Sequence, residues 1–559
     1  MSTDVLLELG DPRCDDPRLA GAKAARLSRA GSAGFPVLPG FVVAEDAGRE
    51  VGQRARVALR RGGSGAARLA AMEAPVDPAL LDACVERVRA LGPPVVVRSS
   101  SVLEGESAWS GAFSSFDDVD IDDLATALRG VWASAFTVAA LQRFEAVDVD
   151  PGRAGLAVLI QPQVEPRCSG TARVGPDDSV EIVATLGAPR ALLGGWDPGV
   201  RARVDGGAVV GENAIETFGA DVLVDVATLA RDVATRFAAN LIEWAAVDGR
   251  VVLLQVTAAA APAVSVPSGA PPLDDPLALR VARAACRAPG PLGEALVMPW
   301  ALGVDRLPGP SAAPPSPTPV ADLSLVTRWA EELTKQAWQA RADSAVAASA
   351  ALIGRLRGPD PAAAFDIARG LRPVDAGRAA RLLAALDAIA AAAERTGVVP
   401  HGGWIWRFPP AELARLLAGD VACPDLAAIG AVDRWEPFVH AAVSARGRQL
   451  VGEPASTGIA AGRVRVAGPH EHVRLAGREV IVTERPVPAL APLLWSASAL
   501  VATNGNTAAH LLEVARSLGV PAVVGVDLAS AHVTLAGLRS ARTVAAVDGD
   551  RGVVAFVDG

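Results

Sequence analysis

Short apolar runs bounded by Gly and Pro alternate along this chain with stretches of helical period. That alternation predicts a multidomain α/β protein. Residues 21–43, GAKAARLSRAGSAGFPVLPGFVV, read as a small-residue helix start carrying Lys23, then a Gly/Pro-rich turn and a short strand. Residues 95–97 predict a buried strand that delivers Arg98 and three serines into a polar loop ending near Gly111 and Ser115. Residues 156–174 read as two strands joined by a turn at 166–170, with Gln161 and Val164 at the end of the first. Residues 241–257 predict a hairpin around Asp248 and Gly249, with Glu243 and Gln255 facing one another across its arms.

Beyond residue 258 the pattern changes. Residues 258–272 are Ala/Pro/Ser-rich, and 307–319, LPGPSAAPPSPTP, carry six prolines, so both read as low-order spacers. Residues 322–357 and 377–396 show apolar residues at helical spacing, for example Leu382, Leu386 and Ile389. Residues 398–413 add Trp404, Trp406 and Phe408, for which core packing is the better reading. A strand-rich segment opens at 452–466, GEPASTGIAAGRVRV, and runs through 480–482 and 485–492. It leads to VATNGNTAAHLLEVARSLGVPAVVG, residues 501–525: a strand ending at Ala502, a polar turn, a helical stretch, a stop at Gly519 and a second strand at 522–524. His510 stands at the mouth of that helix, where free N–H groups and the positive dipole end favour phosphate. The chain closes on a hairpin around residues 548–552.

Composition narrows the class. At 559 residues with 51% hydrophobic content the chain predicts three or four domains with large cores. A net charge of −9, with both signs mixed along the chain, argues against a nucleic-acid or anionic-membrane binder. The five cysteines form no CxxC pair, which fits a reducing cytoplasm without a disulfide framework or a zinc site. The first residues, MSTDVLLELGDPRCDD, lack a basic region and a long apolar core, so no signal peptide is expected. No uninterrupted apolar run reaches about 18 residues, so no membrane span is expected either.

The candidate chemistry is spread over the chain. Lys23 among small residues is a mobile point charge for phosphate. Arg98 at a strand end offers a rigid fork, and the hydroxyl- and Gly-rich loop after it can close backbone N–H groups over phosphate oxygens. A carboxylate paired with an amide oxygen, Glu243 with Gln255, is a seat for Mg²⁺ on nucleotide phosphates. Each feature has an ordinary counterpart: a solvated helix lysine, a surface arginine of a hairpin, a solvated hairpin pair, a histidine at a helix start.

Several windows together resemble one family, the ATP-dependent dikinase-type phosphotransferases: phosphoenolpyruvate synthase, pyruvate phosphate dikinase and, in domain order, rifampicin phosphotransferase. GAKAARL resembles the family's GGKGxxL, VVVRSSSVLEGE its VRSSATAED, and WSGAFSSF its FAGQ segment. Glu243–Trp244 with Leu254–Gln255 resemble its EW…LQ hairpin. GEPASTGIAAGRVRV and TNGNTAAHLLEVARSLGVPAVVG are similar to its ASPG and SHAAIVAREL segments. The resemblance implies an ATP-grasp-type N-terminal domain over 1–258, a mainly helical acceptor-binding middle domain over 259–449, and a swivelling phosphohistidine α/β domain over 450–559. It implies that Lys23 and Arg98 bind ATP phosphates. Gly111 and Ser115 would belong to the covering loop, Gln161 and Val164 would contact the adenine side, and Glu243 and Gln255 would hold ATP and Mg²⁺. His510 would carry the phosphoryl group. The family reaction cleaves ATP to AMP and phosphate and passes the β-phosphoryl group through histidine to an acceptor.

The departures from the family pattern are specific. Its second Gly in the histidine loop is Asn506, and the Ser before the histidine is Ala509. Its AAI after the histidine is Leu511, Leu512 and Glu513, and the new charge at Glu513 is expected to raise the pKa of His510. The LQxRP arginine is Thr257, the GLGE glutamate is Arg190, and the loop after Arg98 is two residues short. The chain ends soon after the histidine segment, so the phosphoenolpyruvate-binding barrel is expected to be absent, and the middle region suggests a smaller or more polar acceptor. Three functions follow: a phosphotransferase acting on a small-molecule hydroxyl; a dehydratase that phosphorylates and eliminates, with His401, His440 or Glu412 as base; and a non-catalytic ATP-binding protein.

Overall fold

The computed structural model describes residues 5–257 except 106, 147–148 and 152–154; short pieces between 386 and 447; and 448–557 except 470, 472–474, 476–478 and 541–542. Packing divides the chain into two compact units. The first comprises Met1–Pro262, Arg485–Trp495 and Asn504–Gly519, and the second Ala263–Glu484, Ser496–Thr503 and Val520–Gly559.

The first unit is built on two antiparallel sheets. Strands β1 (Leu6–Glu8), β2 (Phe41–Val43), β3 (Val95–Ser100), β4 (Ser115–Val119) and β5 (Ala157–Pro162) form one, in the order β1-β2-β5-β3-β4. This sheet is apolar on both faces over much of its area. Leu7, Val42, Ala157 and Leu159 enter one core, and Leu6, Phe41, Val43, Val158 and Ile160 enter another, as the period of two requires. That double burial is why its strands read as continuous apolar runs.

The second sheet contains β6 (Cys168–Val174), β7 (Val180–Leu186), β8 (Val200–Asp205), β9 (Ala208–Val210), β10 (Leu241–Val247) and β11 (Arg250–Thr257), ordered β11-β10-β6-β7-β8-β9. The helix Ala220–Phe237 packs its apolar face, Leu223, Val226, Ala230 and Val233, into the core of this sheet. The two strands expected in residues 156–174 form, but they do not pair with each other: β5 belongs to the first sheet and β6 to the second. The run Ile121–Glu145 is long and apolar enough to cross a membrane by length and composition alone, yet 61% of its most apolar 18-residue stretch is buried inside the protein. It splits into the helices Leu124–Ser134 and Val138–Ala146, and Leu124, Leu128, Val131 and Trp132 lie in a core, so it is a core element.

The second unit holds an eight-stranded mixed sheet. Its strands are β12 (Arg448–Val451), β13 (Glu453–Ser456), β14 (Ile459–Val466), β15 (Glu479–Thr483), β16 (Ala499–Ala502), β17 (Ala522–Val524), β18 (Val544–Asp548) and β19 (Val553–Val557). The order is β12-β19-β18-β14-β15-β16-β17-β13, with β14, β15, β16 and β17 parallel. Residues 485–492, expected to continue the strands, instead form a 3₁₀ turn, Pro488–Leu490, and a short helix, Ala491–Leu494. Pro486, Pro488 and Pro492 donate no ladder hydrogen bond, whereas proline suits a first helical turn.

Residues 258–385, the spacers and the region of Leu382 included, lie outside the described residues, as do Ile389, His401 and Trp404. Leu386, Trp406 and Phe408 are described and buried, in keeping with core packing.

Candidate functional site

The first sheet carries a polar patch on one face. Val95, Val97 and Ile160 point into the core, so Val96, Arg98 and Gln161 share the opposite side. The register places Arg98 between Ser115 on β4 and Leu159 on β5, and Val96 opposite Gln161. The Gln161 amide Nε2 donates to the Leu38 carbonyl at 3.0 Å.

The second sheet supplies Glu243 and Gln255. The β10–β11 ladder runs from Val247–Arg250 at the turn to Trp244–Leu253, and a bulge then sets Glu243 opposite Gln255. The residue left over by the bulge is Leu254. Its carbonyl accepts a hydrogen bond from Arg98 Nη1 at 3.1 Å, and Arg98 Nη2 lies 3.7 Å from Glu243 Oε2. Arg98 thus links the two sheets. The Gln255 amide Nε2 donates to the Thr257 hydroxyl at 3.1 Å, which leaves its oxygen as the acceptor beside the Glu243 carboxylate.

Lys23 is positioned by a glycine. Gly21 has φ +73, and a Cβ there would lie 2.2 Å from Ser100 backbone atoms, so only glycine lets this helix start press on the end of β3. Ala22 N then donates to the Ser101 carbonyl and Ala24 N to the Ser100 hydroxyl. Lys23 Nζ reaches the buried Glu104 carboxylate at 2.6 Å. That carboxylate also accepts from Ser101 N at 2.9 Å and from the Ser99 hydroxyl at 3.3 Å.

His510 begins the helix His510–Leu518, whose N-cap residue, Ala509, makes no side-chain cap. Asn506 takes over the local polar work. Its Oδ1 accepts from Ala508 N at 2.7 Å, and its Nδ2 donates to the carbonyls of Leu192 and Asp197. The His510 ring is held by the loop after Arg98. Nδ1 is hydrogen bonded to the Ser110 hydroxyl at 2.9 Å, and a Cβ on Gly111 would lie 3.2 Å from His510 Cδ2. Buried Arg143 fixes that loop, donating to the carbonyls of Ser110 at 3.0 Å and Pro488 at 3.3 Å. Burial pulls the Arg143 guanidinium down to about 10.

Glu513 acts on His510 in the expected upward direction, but the net shift is downward. Burial is the largest influence and lowers its pKa below 6.5; Glu243 and Glu513 pull upward, while Lys23 and Arg143 push down. Glu513 does act in the expected direction, but its charge is shared: Oε1 accepts from both Arg173 and Arg516 at 2.5 Å. Burial alone would raise the Glu513 carboxyl, yet the two guanidinium groups hold it below the usual carboxylate range.

A cavity of about 450 Å³ is lined by Arg98, Gly111, Ser115, Gln161, Val164 and His510. Lys23, Glu243 and Gln255 are not among its lining residues. Glu243 stands behind Arg98, and Lys23 is paired with Glu104. Arg190 also lines the cavity and pairs with Asp117 at 3.2 Å. Of the candidate bases for elimination, Glu412 is exposed on the helix Pro410–Leu417. His440, in the second unit, interacts with Val547 and Asp548, and burial lowers its pKa. Neither lines this cavity.

Among the described residues no group of three or more His, Cys, Asp or Glu is arranged to hold a metal ion. Glu243 and Gln255 together offer two oxygen donors, a set that suits a Mg²⁺ whose other ligands are phosphate oxygens and water. Sequence reasoning missed Glu104, Ser110 and Arg143. The first two sit inside the quoted windows VLEGE and WSGAF, and Arg143 lies in a helix with no local signal of its role.

Two family models match the chain. Residues 17–188 match the pyruvate phosphate dikinase AMP/ATP-binding domain, and residues 475–552 match the mobile domain of PEP-utilising enzymes. With both domains on one chain, this multidomain α/β protein carries two domain types of the dikinase-type phosphotransferases and is similar to that family. The chain is 42% identical over 105 residues to a phosphoenolpyruvate synthase of Aeropyrum pernix, covering 18% of this chain and 12% of that relative. It is 38% identical over 81 residues to a rifampicin phosphotransferase of Bacillus cereus, covering 14% of this chain and 9% of that relative. It is 34% identical over 111 residues to the chondramide synthase cmdD of Chondromyces crocatus, covering 20% and 3%. The chain therefore matches about an eighth or less of the length of these curated relatives.

Proposed function

We propose that the protein is an ATP-dependent phosphotransferase that moves the β-phosphoryl group of ATP through His510 to a hydroxyl of a small molecule, releasing AMP and phosphate. The observation that carries this reading is that the His510 ring lines the same cavity as Arg98, Gly111, Ser115, Gln161 and Val164. A neutral imidazole is a good nucleophile for phosphorus near pH 7, and burial favours that form here. In the proposed step the His510 lone pair forms an N–P bond to the β-phosphorus. The bond from that phosphorus to the α-phosphate oxygen breaks, and AMP leaves with the electron pair. Water removes the γ-phosphoryl group as inorganic phosphate, and an acceptor hydroxyl then takes the remaining group.

The chain's own contribution is positioning and charge. Arg98 and Lys23 meet phosphate oxygens, Gly111 and Ser115 cover them, and Gln161 and Val164 meet the adenine side. Glu243 and Gln255 would hold Mg²⁺, which when bound neutralises phosphate charge. In this reading residues 1–258 form an ATP-grasp-type domain, 259–449 the acceptor domain, and 450–559 the phosphohistidine domain.

The test is incubation with ATP and Mg²⁺, following AMP, ADP and acid-labile phosphate on the protein. AMP and a label that disappears in His510→Ala are expected. ATP binding without AMP or label would overturn the proposal.

A further inference from the structure

The His510 ring is gripped on both edges nearest its Cβ by neighbouring residues of one loop. Ser110 Oγ lies 2.9 Å from Nδ1, and Gly111 abuts the Cδ2 edge. A ring flip would exchange these two edges and put a carbon against the hydroxyl, so the hydrogen bond selects one ring orientation. Because a hydroxyl can donate or accept, the contact itself is compatible with the proton on either ring nitrogen of the neutral imidazole.

The loop does not need the Ser110 side chain to hold its shape. The Ser110 carbonyl is tied down by Arg143. Trp109 stacks on Phe113 at 5.9 Å and packs on Phe144 at 4.9 Å, and Ala112 N closes a turn on the Trp109 carbonyl. Ala509 on the helix side has no hydroxyl to offer.

We infer that Ser110 is a positioning residue for the nucleophile: its hydroxyl accepts the His510 Nδ1 proton, fixes the ring orientation, and leaves Nε2 unprotonated as the atom that attacks phosphorus. This inference rests on the phosphohistidine reading above. The charged groups acting on the ring, Glu243 and Glu513 against Lys23 and Arg143, carry opposite signs, and none is hydrogen bonded to Nδ1 in place of Ser110. Once the N–P bond forms at Nε2, the same hydroxyl keeps a partner for the Nδ1 proton. A protonated Nδ1 makes the imidazole a better leaving group for transfer to the acceptor. The hydroxyl thereby serves both halves of the proposed reaction without a change of partner.

The test compares Ser110→Thr with Ser110→Val, which match in volume and differ by the hydroxyl. Two readouts are used. One is the rate of acid-labile labelling from ATP. The other is the ¹⁵N spectrum of the six histidines after selective labelling, with His510 assigned from His510→Ala. The threonine variant should keep wild-type labelling within a few-fold and an N–H signal at Nδ1. The valine variant should label about tenfold to a hundredfold slower while binding ATP normally, with its His510 signals moved toward a tautomer mixture. Equal labelling and equal spectra in the two variants would overturn the role of Ser110. Absence of label in wild-type protein would instead overturn the phosphotransfer reading itself, so the two failures are distinguishable.

Discussion

Single residues around His510 are fitted so closely that small side-chain changes have chemical meaning. Gly111 has φ +63, and a Cβ there would sit 3.2 Å from His510 Cδ2, 3.3 Å from His510 Cβ and 3.3 Å from Pro488 Cβ. An alanine would strain the backbone and push the ring off the Ser110 hydroxyl. Gly111→Ala should slow His510 labelling by about tenfold or more and destabilise the fold by about 1–2 kcal/mol. Paired measurements of labelling rate and melting temperature check this; wild-type labelling would show that the loop relaxes around the new methyl group. At this scale the sequence was informative about which residue types gather and silent about their contacts. Lys23, Arg98 and His510 stood out as phosphate chemistry, while Glu104, Ser110 and Arg143 became visible only through the distances that join Glu104 to Lys23, Ser110 to His510 and Arg143 to the Ser110 carbonyl.

At the scale of elements, the helix His510–Leu518 is secured by charge as well as by apolar packing. Glu513, on its first turn, is 7% exposed and bonds two guanidinium groups, Arg173 of β6 and Arg516 of its own helix. Arg516 in turn donates to the Thr507 carbonyl at 2.8 Å. Losing the carboxylate leaves two partly or fully buried cations without it. Glu513→Gln should therefore cost about 2–4 kcal/mol at neutral pH. The pH dependence follows from the lowered pKa. Stability from this carboxylate is present above its ordinary value of 4.5 and is lost as pH falls through the lower folded-state value. The gap in melting temperature between wild type and Glu513→Gln should narrow below pH 4.5, and a gap constant across that range would reject the assignment. The hairpin β10–β11 teaches a related lesson. Its turn at Asp248 and Gly249, both at positive φ, follows from local chemistry. Strict counting from that turn would place Glu243 opposite Leu254, and the bulge moves it opposite Gln255.

For the molecule as a whole, the first unit works as two sheets tied by Arg98, which donates to Leu254 on one sheet from its strand on the other. A ligand with phosphate oxygens at Arg98 would engage both sheets together. Arg98→Met should weaken ATP binding by about tenfold to a hundredfold and erase most of the rise in melting temperature that ATP produces. Calorimetric titration and thermal melts with and without ATP measure both, and unchanged ATP affinity would remove Arg98 from the site.

The sequence by itself determined the local grammar of this protein. The helix start at Lys23, the strand that ends in Arg98 and the serines, the hairpin at residues 248–249, the strand–turn–helix–strand around His510 and the closing hairpin are all present where turn residues and apolar period place them. These depend on backbone preference and on which side chains avoid water, and both are written within a few residues. Tertiary structure alone decided the rest. It sent β5 and β6 into different sheets, inserted the bulge that frees the Leu254 carbonyl, and turned residues 485–492 away from strand. It also outweighed the upward pull of Glu513 on His510 with burial of the ring. A charge at Glu513 is legible in the sequence, but the burial of the ring, and the Arg173 guanidinium that shares that charge from 340 positions away, are not. Desolvation and summed charge depend on the three-dimensional neighbourhood, which no local pattern encodes.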